Sequence, residues 1–297
     1  MKKDFFNKTR ILDGGMGQEL LNRGVKPHGT IWGASALLHK KYHNTVIKTH
    51  LDFIKAGAEV IVTNSFGSRK RRLIENNLGN KYKTLNKLAG KLAKIAVKKS
   101  KKKVLIAGSL PPQNFTYFSD LGKDLKFIKE SFKSQASYLN PYVDFFYLDV
   151  MSSLKECTIA INSISSFKKE FLIGIHVRKN GKLPSGEDFI QVIKKLEKYK
   201  PLGVLASCVS TEHLSIIMKD IKKIKVPFGF KINAFEHIPA GWKPDSNNPK
   251  VQLGKRRDLT PKKFYNICKK FNKMGAKIIG GCCEIKPSHI KALKKLV

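Results

Sequence analysis

The chain has 297 residues, 41% of them hydrophobic, and 58 lysines and arginines against 22 acidic residues, a formal net charge of +36. That length suits a large core in one α/β domain, and no apolar run approaches the roughly 20 residues needed to cross a bilayer. The basic N-terminus lacks the apolar stretch and cleavage site of a secretory signal, so a cytoplasmic protein is expected, and five cysteines, an odd number, argue against a disulfide framework.

Along the chain, short β-branched or aromatic runs alternate with longer amphipathic segments rich in lysine. The first run, 10–14, leads into Asp13-Gly14-Gly15. The glycine-rich DGGMGQEL misses the third glycine of a dinucleotide fingerprint, because Leu20 stands there. A loop carrying Trp32 follows, then a helical pattern over HNTVIKTHLDFIKAG that Gly57 would terminate. Further strands are predicted over 59–64, ending at Asn64; over 103–109, ending at Ser109; and over 143–150, with Asp149 near its end. VDFFYLDV is a continuous apolar run, the pattern a parallel strand buried on both faces requires. The fifth strand, 171–177, carries His176, and the helix SGEDFIQVIKKLEKYK after it reads as capped by Ser185. The sixth, 203–208, ends at Cys208, and the seventh, 228–233, at Asn233. The irregular stretch 234–258 then contains Glu236, His237 and Trp242 and reads as a lid or binding segment. Thr260 before Pro261 marks the next helix start. The eighth strand, 276–282, runs into Cys282-Cys283, and KPSHIKALKKLV closes the chain as a helix. Eight β-then-α units predict a single (β/α)8 TIM barrel over 1–297, with a doubly wound open sheet as the alternative.

Barrel sites lie at the C-terminal ends of the strands. Three of the five cysteines fall there, on strands six and eight, whose tips can face one cavity. Cys157 and Cys268 fall within helices and read as small core residues. Adjacent cysteines on a regular strand would point to opposite faces, so Cys282 and Cys283 both turn inward only if the strand loses regularity, which Gly280 and Gly281 would permit. The inferred site is three thiolates around one soft cation, Zn2+, with the fourth tetrahedral position open, as in catalytic zinc sites.

Several motifs resemble the homocysteine S-methyltransferase family, which includes betaine- and S-methylmethionine-dependent enzymes. ILDGGMGQEL resembles its opening strand and turn, and HLDFIKAGAEVIVTNSF its first helix and second strand. LPSGE, ASC and AKIIGGCCEIKPSHIKAL match in order, so the resemblance spans essentially the whole chain. It implies zinc ligands at Cys208, Cys282 and Cys283, with Asp13, Gly14 and Asp149 holding the amino-acid end of homocysteine. The chain departs from the family at Leu148-Asp149-Val150, where Glu-Thr is usual, at GSLPP, and at Ser207 before Cys208, where Asn is usual.

The chemistry expected is attack of a metal-activated homocysteine thiolate on a methyl carbon, which needs no general base at that carbon. The donor then carries an activated methyl, on a sulfonium or quaternary ammonium, and aromatic faces favour such cations. Trp32, Phe66, Tyr147 and Trp242 are the candidates, with Asn64, Ser109, Asn233, Glu236, His237 and His176 as further lining or supporting residues. One alternative is a different thiol or selenol acceptor, or methylfolate with a partner cobalamin protein. Another is a basic nucleic-acid-binding barrel, motivated by Arg69-Lys70-Arg71-Arg72 and by KKSKKK. Lysine is spread over nearly every predicted helix, however, so solvated outer faces and weak polyanion attraction are expected rather than a specific nucleic-acid partner. No membrane partner is expected, and a homo-oligomer is left open.

Overall fold

Alternation along the strands sorts the apolar side chains into two layers. Ile11, Ile61, Ile106, Phe146, Ile173, Phe230 and Ile279 pack in one cluster with residues of the surrounding helices. Their neighbours Leu12, Val60, Ala107, Tyr147, Leu172 and Ile278 pack in another, inside the barrel. This is the period of two that a strand imposes. A computed structural model of the chain describes residues 4–239, 242 and 248–297.

Eight parallel strands carry this pattern: β1 (Arg10–Ile11), β2 (Val60–Val62), β3 (Leu105–Leu110), β4 (Phe145–Met151), β5 (Phe171–Ile175), β6 (Gly203–Val209), β7 (Phe228–Ile232) and β8 (Ile278–Gly281). They pair in the order β1-β8-β7-β6-β5-β4-β3-β2. The bridge Leu12↔Val60 and the hydrogen bond from Asp13 N to Val60 O, 3.0 Å, bring β1 against β2 and nearly close the circle. The result is the predicted TIM barrel rather than an open sheet. The 3-10 turn Phe5–Asn7 plugs its floor, where Phe6 is fully buried and meets Phe145 edge-on at 5.8 Å.

The helices form around it. Lys40–Ala56 ends at Gly57 with φ 111°, a left-handed conformation glycine adopts without steric cost, and Thr260 caps Pro261–Lys273 by accepting from Lys263 N. Ser185 is not the cap expected of it. The helix is Phe189–Leu196, capped by Asp188, and Ser185 Oγ instead donates to Glu187 Oε2 at 2.6 Å. An antiparallel bridge between Lys182 and Asp188 folds the intervening residues into a turn and delays the helix. Trp32 opens a 3-10 helix, Trp32–Leu37, rather than lying in a loop. The stretch 234–258 contains a short helix, Pro249–Leu253, and residues 240–241 and 243–247 of it lie outside the described residues. No described helix is long and apolar enough to cross a membrane.

Candidate functional site

Two strands break their ladder at the rim. In β4 the register shifts between Leu148 and Met151, with Val150 at φ 68°. In β6 it shifts between Ser207 and Val209, with Cys208 at φ 51°. A non-glycine residue in the left-handed region is costly and persists where its surroundings hold it. At Cys208 the holding contact is Asn233, whose Nδ2 donates to the Cys208 carbonyl at 2.7 Å. The inserted residue turns its sulfur into the cavity.

Cys282 and Cys283 reach the same place differently. β8 ends at Gly281, and both cysteines lie in the turn beyond it. The strand thus loses its regularity where the two cysteines need it to, immediately after Gly280 and Gly281. Those glycines remain in the strand for want of space: a Cβ on Gly280 would stand 2.8 Å from Leu12 Cβ, and one on Gly281 2.2 Å from Ile285. The turn is pinned by Cys282 N donating to Ile232 O at 2.7 Å and by Ala234 N donating to Cys283 O at 2.9 Å. Gly15 lets the first βα turn pack onto it, since a Cβ there would stand 2.6 Å from Cys282 O.

The three sulfurs lie within 4.8 Å of one another, with Cys208–Cys283 at 4.0 Å and Cys282–Cys283 at 3.9 Å. Sulfurs about 2.3 Å from a tetrahedral Zn2+ would stand about 3.8 Å apart, so the trio fits a thiophilic cation with little adjustment. Hydrogen bonding from Cys282 and Cys283 holds Cys208 well below the ordinary thiol range, while the anion forming there pushes Cys282 up to about 12. The cluster gives up its first proton easily and resists losing more, and a divalent cation removes that resistance. Cys157 and Cys268 are buried core residues, as expected.

Charged side chains surround the sulfurs. Asp13 is fully buried, accepts from Val62 N at 2.8 Å and lies 3.4 Å from Lys231 Nζ. Burial raises its pKa, and Lys231 opposes the rise. Asp149 accepts from Ser109 Oγ at 3.0 Å, and burial pushes it up to about 7 against the pull of Lys231. Burial opposes the charge of Lys231, but Asp13 and Asp149 outweigh it and raise its pKa. Tyr117 Oη lies 3.1 Å from Cys208 Sγ, and its ring packs 4.6 Å from His176 and 6.0 Å from Trp242. His176 sits with Nδ1 3.4 Å from Ser207 O, and burial lowers it to about 4, so the ring is neutral.

Most of the residues predicted from sequence line one cavity of about 1060 Å³, its open mouth included: the three cysteines, Asp13, Gly14, Asn64, Ser109, Asp149, Trp32, Phe66 and Trp242. Asn233 does not line it. Its side chain is spent on the backbone, accepting from Phe235 N as well as donating to Cys208 O. Tyr147 points into the barrel and pairs with Ser207 Oγ below the cavity, and Glu236 and His237 are exposed and do not line it. Tyr117, Lys231, Arg69 and Arg72 line the cavity and were missed. Lys231 had a signal, as the lone charge in the apolar run FGFKI at a position facing inward. Tyr117 had none, because its loop carries no period.

The sequence model of the family Homocysteine S-methyltransferase matches residues 10–297. Homocysteine S-methyltransferase 2 of Saccharomyces cerevisiae is 24% identical over 317 residues, covering 98% of this chain and 94% of the relative. Homocysteine S-methyltransferase of Escherichia coli is 22% identical over 304 residues, covering 96% and 94%. Among solved structures, the metallated form of the E. coli homocysteine methyltransferase MmuM superimposes with a TM-score of 0.80 at 18% identity, covering 98% of this chain and 96% of that one. With a match that runs from the first barrel strand to the last residue, the chain belongs to the homocysteine S-methyltransferase family and is an enzyme of that kind.

Proposed function

We propose that this enzyme moves a methyl group from a sulfonium or quaternary ammonium donor, such as S-methylmethionine or betaine, to the sulfur of homocysteine, forming methionine at a zinc ion held by Cys208, Cys282 and Cys283. The observation that carries this reading is the trio of sulfurs within 4.8 Å of one another at the head of a cavity. Cys208, Cys282 and Cys283 would hold the ion, and zinc held there would lower the pKa of the homocysteine thiol, supplying a thiolate at neutral pH. Asp149, braced by Ser109, takes the substrate ammonium, and Asp13 with Gly14 and Asn64 completes that wall. Lys231 balances the two carboxylates, which otherwise could not both be charged in so buried a place. Asn233 positions Cys208 through its carbonyl, and neutral His176 keeps Tyr117 packed against the same sulfur. Trp32, Phe66 and Trp242 offer aromatic faces to the donor cation.

The new bond is sulfur to methyl. The bond that breaks joins methyl to the donor heteroatom, which keeps the electron pair and leaves uncharged at that atom. No proton moves at the carbon, so neither Asp13 nor Asp149, the carboxylates that line the cavity, is required there as a base. The test is metal content and methionine formation, measured together on wild type, Cys208→Ala and Cys283→Ala with a panel of sulfonium and ammonium donors. About one zinc per chain in wild type and a sharp fall in both variants are expected, since each removes one of three protein ligands. If wild type forms no methionine from any donor, the reading is wrong.

A further inference from the structure

Directly after the paired cysteines the turn carries a charge. Glu284 has φ 63°, in the left-handed region where a side chain is costly, and its own side chain is wholly buried. A carboxylate in such a place needs partners, and each of its oxygens meets one from a different part of the chain. Gln18 Nε2, from the helix Met16–Asn22, donates to Oε1 at 2.5 Å. Lys255 Nζ stands 2.9 Å from Oε2 in an ion pair, off the line of a hydrogen bond, so this second contact is one of charge.

Both contacts lead on to a tryptophan. Gln18 Oε1 accepts from Trp32 Nε1 at 2.5 Å, and the indole packs on Gly17, where a Cβ would stand 2.7 Å from the ring. A carboxylate only accepts and an indole only donates, so Glu284 and Trp32 together fix which way the Gln18 amide faces. On the other side, Lys255 lies two residues beyond the helix Pro249–Leu253, and Gln252 of that helix accepts from Trp242 Nε1 at 3.1 Å. Asn248, which caps the same helix, accepts from Gln18 Nε2 at 3.3 Å and joins the two arms.

The centre of this network is therefore one residue from Cys283, and its ends are the two tryptophans of the chain, both of which line the cavity. A buried ion pair gains little stability over a well-packed apolar pair, so what this one supplies is geometry. Resting on the methyltransferase reading above, we infer that Glu284 is a positioning residue that sets both tryptophan faces of the donor wall relative to the sulfurs, Trp32 through Gln18 and Trp242 through Lys255.

The test separates the two arms. Acrylamide quenching of the zinc-loaded protein without substrate reads Trp32 in a Trp242→Phe background and Trp242 in a Trp32→Phe background. Glu284→Leu is expected to raise the quenching of both. Glu284→Gln keeps an acceptor for Gln18 but loses the charge that draws Lys255, so it should restore Trp32 and leave Trp242 loosened, as Lys255→Met should also. With both tryptophans present, Glu284→Leu should lower kcat/KM for the methyl donor about tenfold to a hundredfold, carried mostly by the donor's KM, the scale of a misplacement near 1 Å. The KM for homocysteine and the zinc content should stay at their wild-type values. If Glu284→Leu does not fold, Gln18→Met reads the Trp32 arm and Lys255→Met the Trp242 arm.

The inference is overturned if the folded variants quench like wild type, or if they lose folded protein or zinc while the donor's KM holds. Failure of every donor to yield methionine in wild type would sink the methyltransferase reading. The quenching pattern, measured without turnover, would still decide whether Glu284 holds the two tryptophans.

Discussion

The floor and the rim of this barrel are built by opposite rules. At the floor, Phe6, Phe145, Leu172, Leu205 and Ile278 pack in regular, wholly apolar contact, and Arg10, stacked on the neighbouring Phe5, is paired with Glu59. At the rim, two strands carry an extra residue, and four of the nine described non-glycine residues with positive φ (Trp32, Tyr117, Val150 and Cys208) line the cavity. Three of the others, Lys101, Lys168 and Lys200, simply end helices. Two carboxylates, a lysine and two arginines that line the cavity are also buried there. The floor gains stability from burial that the rim spends on holding strained backbone and buried charge in place. The lesson is that the irregular end carries the chemistry because the regular end can carry the fold.

That contrast can be broken from either side. Cys208→Ala should have the largest effect on function, abolishing methyl transfer and most metal retention while the apparent thermal midpoint of the metal-free protein barely moves. A large destabilisation of the metal-free form would show that the rim also supports the fold. Phe6→Ala should do the reverse, costing about 3–5 kcal/mol in denaturant unfolding with methyl transfer per folded molecule unchanged. Asn233→Ala removes the contact that holds Cys208 in its left-handed conformation. Metal affinity, read by competition with a chelator, is expected to fall about tenfold to a hundredfold, the range for groups that orient ligands.

Asp149 sharpens the comparison by pH. Its carboxyl titrates near 7, so binding of methionine, which has no thiol to confuse the readout, should tighten as pH rises through that value. Asp149→Asn should bind methionine about tenfold more weakly at high pH and show no such rise. Equal pH profiles for the two proteins would remove Asp149 from ammonium recognition. The smallest effect is expected at Glu156, which acts on Arg69 through space and is pushed up to about 8, chiefly by burial. A raised folded value means the protonated form is the one the fold prefers. Its contribution to stability is full below the unfolded-chain value near 4.5 and is lost as pH rises through about 8. Glu156→Gln keeps an acceptor for Ser152 N, so it should match wild type in urea melts at pH 5 and exceed it at pH 8.5. A constant difference across that range would deny the linkage.

The strands were legible because their pattern is local. Eight short runs, several of them near-continuously apolar, separated by amphipathic segments can bury both faces of a parallel sheet in only a few ways, and every predicted strand overlaps an observed one. The sulfur trio was legible for a related reason: barrel topology brings the ends of β6 and β8 to one rim, so Cys208, Cys282 and Cys283 could be paired before any coordinates existed. Tertiary structure alone decided the rest. The bulge at Cys208 depends on an amide from β7, and the inward turn of Arg69 depends on Thr116 from a distant loop. Asn233 stands at a strand end like the cavity residues, yet its hydrogen bonds draw it away from the cavity. Periodicity reports which face a regular strand presents, but a bulge resets that face, and what holds the bulge lies on another part of the chain.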